Sequence, residues 1–143
     1  ERAASLLRTR LPGVQVCTSS SVCPEVREYE RFSTAVLNAY VRPLISTYLR
    51  EAQSLLTDAG FRCPLLLMTS GGGLTDADTV SALPVRLIES GPAGGVRLAE
   101  RVASDLGVDH VLSFDMGGTT AKLCAVSHGR AAGAREFEVD RAE

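Results

Sequence analysis

Val111-Leu112-Ser113-Phe114-Asp115-Met116-Gly117-Gly118-Thr119-Thr120-Ala121-Lys122-Leu123-Cys124-Ala125-Val126 constrains this chain more than any other stretch. Two apolar-rich runs flank Asp-Met-Gly-Gly-Thr-Thr, which reads as strand, tight turn, strand, with Asp115 where the first strand stops. Gly117 and Gly118 allow positive φ and carry no Cβ, so successive N–H groups could converge on a phosphate oxygen. Asp115 could hold a hydrated Mg²⁺, and the hydroxyls of Thr119 and Thr120 could donate to phosphate. A regular second strand would set Thr120 and Lys122 on one face, bringing a cation beside the anion. An ordinary β-hairpin needs the same Gly-Gly and the same Asp, so this stretch alone leaves both readings open.

The other 127 of the 143 residues bound the possibilities. At 45% hydrophobic the chain can fill a core, yet no run approaches the roughly 18 apolar residues of a spanning helix. The start, Glu1-Arg2-Ala3-Ala4-Ser5, is not a signal peptide, so the expectation is a soluble, cytoplasmic protein with no membrane contact. A net charge of −2 with both signs interspersed excludes the basic stripe of a nucleic-acid binder. Cys17, Cys23, Cys63 and Cys124 are scattered and read as reduced, structural residues. His110 and His128 read as isolated and incidental.

In chain order, residues 1–10 suggest a short helix stopped at Leu11-Pro12-Gly13, then a short strand Val14-Gln15-Val16-Cys17 and a polar loop to Pro24. From Phe32 to Ala59 the pattern is helical, with Leu37, Val41, Leu44, Tyr48, Leu55 and Ala59 as the apolar stripe, a kink or break at Pro43, and Gly60 as terminator. Pro64 to Ser70 reads as a buried, parallel strand that empties into Gly71-Gly72-Gly73, with a short helix near Asp76 to Leu83. Pro84 to Ile88 reads as extended. Ser90 is the expected N-cap of a helix that runs to Leu106 and stops at Gly107. After the hairpin, residues 127–130 read as a turn, and Ala134 to Val139 as a third strand.

A small-residue helix followed by an apolar strand and an Asp-x-Gly-Gly-Thr hairpin resembles the actin-like ATPase superfamily. Within it, the chain is similar to the A subunits of the hydantoinase and oxoprolinase family. The stretches that carry this are Pro24 to Arg31 with Asn38-Ala39-Tyr40, Met68-Thr69-Ser70-Gly71-Gly72-Gly73-Leu74, Ser90-Gly91-Pro92-Ala93-Gly94-Gly95-Val96, and Phe114 to Lys122, with Arg135-Glu136-Phe137-Glu138-Val139 beyond. The chain departs from the pattern at Ser21, where many members have an acid, and at Gly71, where Asn or Asp is common. It departs again at Ala121-Lys122, where the hairpin often ends in Thr-Asp.

The resemblance implies an α/β, ribonuclease H-like fold present in part. Residues 1–90 would be the end of the first lobe, 91–107 the connecting helix, and 108–143 the start of the second lobe. It implies ATP and Mg²⁺ as cofactors, with Asp115 positioning metal or water and Gly117, Gly118, Thr119, Thr120, Lys122, Ser90 and Gly91 contacting nucleotide. The implied reaction is ATP-driven opening of a cyclic amide such as hydantoin or 5-oxoproline. The implied partners are a B-type subunit or fused domain and a second copy of the chain. A fragment that lacks the first-lobe hairpin and the adenosine site should not hydrolyse ATP alone, and should leave sheet edge and apolar surface exposed. Two alternatives stand beside this reading: an ATP-dependent acetone or acetophenone carboxylase subunit, and a non-catalytic binding or assembly module. A sugar kinase shares the hairpin but not the other stretches.

Overall fold

The computed structural model describes residues 1–132, so the expected strand Ala134 to Val139 and the familial stretch Arg135 to Val139 lie outside the described residues. The chain forms two compact units, Glu1–Ile88 and a second that begins at Glu89. Among the described residues no helix is long and apolar enough to cross a membrane.

The first unit is built on α3, Glu28–Asp58. The helices α1 (Arg2–Arg10) and α2 (Ser19–Val22) precede it, and α2 packs against it. The expected strand at Val14–Cys17 does not form, and among the described residues no strand pairs with it. The helix α2 occupies part of the expected polar loop, its Cys23 N–H closing on Ser19 O at 2.9 Å.

α3 runs through Pro43 as one element rather than breaking there. Pro43 lacks an N–H for the Ala39 carbonyl, but tertiary bonds hold the helix on both sides of the gap. Asn38 Nδ2 donates to Ala82 O and Asn38 Oδ1 accepts from Val85 N, each at 3.2 Å. Arg42 Nε and Ser46 Oγ both donate to Ser81 O at 3.2 Å. Asn38, Arg42, Ser46 and Leu49 therefore define the packed face. The apolar stripe expected to be buried is largely exposed instead, with Leu44 at 72%, Tyr48 at 62% and Leu55 at 70%. Periodicity pointed to a genuine apolar face, but within this unit the polar anchors decide which side is covered. Gly60 ends the helix as expected, at φ 88.

The strands β1 (Leu66–Met68) and β2 (Leu74–Asp76) form an antiparallel hairpin, so the expected buried parallel strand is corrected. The glycine triplet is the tip of that hairpin. Gly72 N–H donates to Thr69 O at 2.9 Å, and Thr69 N–H to Gly73 O at 2.8 Å. Gly72 sits at φ 73, which explains the residue type without invoking a ligand. Then α4, Ala77–Ala82, begins where Asp76 Oδ1 accepts from Thr79 N at 2.7 Å. This bond and one from the Thr79 hydroxyl hold the Asp76 carboxyl below its usual range. Pro84–Leu87 is a 3₁₀ turn rather than the extended segment expected. The core gathers Leu49, Ala77 and Val80, with Ile45, Leu65, Leu67 and Leu87 packed on it.

In the second unit α5 (Ser90–Leu106) packs on the antiparallel strands β3 (His110–Met116), β4 (Ala121–Ser127) and β5 (Arg130–Ala131). Gly107 ends α5 at φ 65 and ψ 33, as expected. Ser90 is not the N-cap: that position is taken by Glu89, which has left-handed backbone angles and makes no side-chain capping bond. The turn between β4 and β5 has positive φ at both His128 and Gly129, which suits the twist of a tight hairpin. The two histidines meet edge to face, 5.1 Å between centroids. His110 Nδ1 lies 3.1 Å from Ser127 Oγ, and His128 Nδ1 lies 3.6 Å from Asp109 Oδ1, so the expectation of isolated histidines is corrected.

Glu100 ties α5 to the sheet. Its carboxylate accepts from Arg97 Nη1 and from Ala131 N, both at 2.8 Å. These bonds, the arginine first and the amide second, hold its carboxyl below the ordinary glutamate value of 4.5. A lowered carboxyl stabilises the fold above that value, and the contribution disappears as pH falls through the folded-state midpoint. Melting temperature measured from about pH 5 down to about pH 3 should therefore fall more steeply for the native protein than for Glu100→Gln. Parallel curves would contradict this.

Candidate functional site

Alternation along the ribbon sorts its residues onto two faces. Val111, Ser113, Lys122, Cys124 and Val126 are half-buried or buried on the side that faces α5. Asp115 shares that face because it pairs directly with Lys122 across the ladder. Leu112, Phe114, Met116 and Leu123 lie on the opposite face, exposed as expected of apolar surface in this chain. The four cysteines are unpaired.

β3 extends one residue beyond Asp115, to Met116, which pairs with Ala121. Gly117, Gly118, Thr119 and Thr120 form the loop. Gly117 N–H donates to Thr120 O at 3.0 Å, so this amide is spent on closing the turn. The amides of Gly118 and Thr119 take no hydrogen bond among the described residues. Neither glycine uses positive φ. What Gly118 contributes is the missing side chain, since a Cβ there would meet nothing within 4 Å. β4 begins at Ala121, so Thr120 belongs to the loop and does not continue the face of Lys122.

Asp115 is exposed, and its carboxylate has neither a hydrogen bond nor an ion pair among the described residues. Among those residues no three His, Cys, Asp or Glu side chains group as a metal site. A cation at Asp115 would be held by one carboxylate, with waters and phosphate oxygens filling its other positions. That donor set suits a hard cation such as Mg²⁺, which sheds water reluctantly, or Mn²⁺, rather than Zn²⁺ or Cu²⁺.

Lys122 has a partner that the sequence expectation did not include. Its ammonium pairs with Glu89 Oε2, and both side chains are about one-third exposed, at 35% and 32%. This pair brings the first turn of α5, with Ser90 and the open Gly91, to the start of β4. The sequence reading missed Glu89. A lysine on the covered face of a strand requires a compensating carboxylate, and that signal could have found it.

Residues 31–143 match the sequence profile of the hydantoinase/oxoprolinase family. The caprolactamase subunit alpha of Pseudomonas jessenii is 36% identical over 130 residues, which are 91% of this chain and 19% of that protein. The 5-oxoprolinase of Saccharomyces cerevisiae is 32% identical over 131 residues, 91% of this chain and 10% of that one. An acetone carboxylase, solved nucleotide-free in work on ATP-dependent acetone carboxylation, matches with TM-score 0.76 at 23% identity, over 90% of this chain and 18% of its own. That likeness is one of fold, and it agrees with the α/β, ATPase-type fold expected in part from the sequence. The chain spans about a fifth or less of each of these proteins.

Proposed function

Since the chain belongs to the hydantoinase/oxoprolinase family, we propose that it is part of an ATP-dependent subunit that opens cyclic amides such as hydantoin, 5-oxoproline or a larger lactam. The observation that carries this reading is the end of the β3–β4 ribbon, where the Asp115 carboxylate is unpaired and the loop that follows has two unspent amides, at Gly118 and Thr119. In the reaction, the γ-phosphoryl group of ATP passes to the amide carbonyl oxygen and ADP leaves. Water then attacks the activated carbon, the ring C–N bond opens and phosphate departs. Mg²⁺ would supply neutralisation of the phosphate charge.

The residues of this chain would serve that transfer by positioning and electrostatics, which carry most of the catalysis in phosphoryl transfer. Gly118 and Thr119 would donate their N–H groups to phosphate, with the Thr119 and Thr120 hydroxyls beside them. Asp115 would orient the hydrated cation. Gly117 would serve by holding the loop closed, and Ser90 and Gly91 would border the nucleotide from the first turn of α5. We further read residues 1–90 as the end of a first lobe, 91–107 as the connecting helix and the remainder as the start of a second lobe. A B-type subunit or fused domain and a second copy of the chain complete the proposed assembly, in the cytoplasm.

The test is Gly118→Ala in the full-length protein. A methyl group meets open space and no positive φ is required, so the fold should tolerate it within about 1 kcal/mol. If phosphate lies against the loop, that methyl intrudes on the ligand, and ATP affinity by calorimetry should fall about tenfold or more. Unchanged affinity would remove the phosphate from this loop. Turnover of hydantoin, 5-oxoproline and caprolactam, set against acetone with bicarbonate, separates the hydrolase from a carboxylase. Absence of saturable ATP binding would favour an assembly module.

A further inference from the structure

Three charges lie near one another in the second unit: the exposed Asp115, Lys122 directly across the ladder from it, and Glu89 just before α5. Residues opposite one another in an antiparallel pair have Cβ atoms about 4.5–5.5 Å apart, well within the reach of a lysine stem. An Asp115–Lys122 ion pair is therefore the local default. It does not form. The Lys122 ammonium binds Glu89 instead, and Asp115 is left without a partner among the described residues.

Glu89 reaches this position from φ 64 and ψ 19, a conformation that residues with a side chain adopt at a cost. The only other described non-glycine residue with positive φ is His128, in a tight turn that demands it. Ile88 (φ −60, ψ 126) and Glu89 have the central angles of a type II turn, which places the positive φ at Glu89, where no side-chain capping bond offsets it. From this turn the Glu89 carboxylate meets Lys122 in a contact about two-thirds shielded from solvent and so less screened than an open surface pair.

We propose that Glu89 is a positioning residue that holds the Lys122 ammonium away from Asp115, keeping that carboxylate unpaired and available to a hydrated divalent cation. This rests on the reading of Asp115 given above and deepens it. The Ala121-Lys122 departure from Thr-Asp then has a physical consequence: a cation in place of an acid requires a second carboxylate to restrain it.

The probe is Mn²⁺ alone, its affinity for the full-length protein measured by water-proton relaxation. Glu89→Gln releases Lys122 to pair with Asp115 and should weaken Mn²⁺ binding about five- to tenfold, the scale of one compensated charge at close range. Adding Lys122→Met to Glu89→Gln should restore the native affinity, because nothing remains to neutralise Asp115. A merely structural Glu89 would leave the double variant as weak as the single one, and that result overturns the proposal. So does a Glu89→Gln protein that binds Mn²⁺ like the native one. Glu89→Gly suits the left-handed backbone and should remain as stable as native by thermal unfolding while losing affinity as Glu89→Gln does. Native affinity in Glu89→Gly would also overturn the proposal. If Asp115→Asn leaves Mn²⁺ binding unchanged, the metal assignment fails and the proposal with it. If Asp115→Asn abolishes binding while Glu89→Gln has no effect, the proposal alone falls.

Discussion

Asp115→Asn in the full-length protein is expected to lower ATP-dependent turnover about 10²- to 10³-fold, about 3–4 kcal/mol of transition-state stabilisation, with little change in folding stability. The two halves of this expectation have separate causes. Asp115 is exposed, and its carboxylate makes no hydrogen bond or ion pair among the described residues, so the fold loses nothing when the carboxylate becomes an amide. The amide is isosteric but neutral, and it no longer attracts a divalent cation or orders the waters around it. Steady-state kinetics beside a urea titration separates the two. Turnover within a factor of about three of native would remove Asp115 from the reaction.

The largest effect on stability is expected at Asn38. Its side chain is fully buried, donating to Ala82 O and accepting from Val85 N, and so it joins α3 both to the end of α4 and to the 3₁₀ turn. Asn38→Ala would leave the partly buried Ala82 carbonyl and Val85 N–H without these partners, each costing up to about 1–3 kcal/mol, together with a small cavity. A loss of about 3–5 kcal/mol is expected, read as a lower urea midpoint at similar slope. Asn38→Asp keeps the shape and one acceptor but buries a charge beside Ala82 O, so it should not rescue. A loss below about 1 kcal/mol for Asn38→Ala would mean that the two backbone groups find other partners.

The parts of this molecule legible in the sequence are those fixed by local chemistry. The β3–β4 ribbon, the end of α5 at Gly107, the end of α3 at Gly60 and the short helix after Asp76 each follow from strand alternation, glycine at a left-handed position or a side-chain cap. The parts that were not legible depend on partners distant in sequence. The covered face of α3 is chosen by Asn38 and Arg42 reaching carbonyls more than thirty residues away, which no apolar period reveals. β1 is antiparallel because Gly72 turns the chain straight back, whereas an apolar run of that length says nothing about direction. At the candidate site, Asp115 and the loop were apparent from the motif. Glu89 was hidden because an acidic residue before Ser-Gly-Pro reads as part of a helix start, and its role exists only once β4 lies beside it.

The ribbon's two-sidedness makes changes of length at this end unequal. Because side chains alternate, an insertion of a single residue within β4 would rotate everything beyond it to the other side, sending Lys122 or Val126 outward and an apolar neighbour such as Leu123 towards α5. An insertion between Gly118 and Thr119 adds only to the bend and leaves the pairing of Met116 with Ala121 untouched. Divergence in this region can thus resize the bend without disturbing the sheet, at the expense only of what the bend binds, while the strands themselves tolerate substitution but not a shift of register.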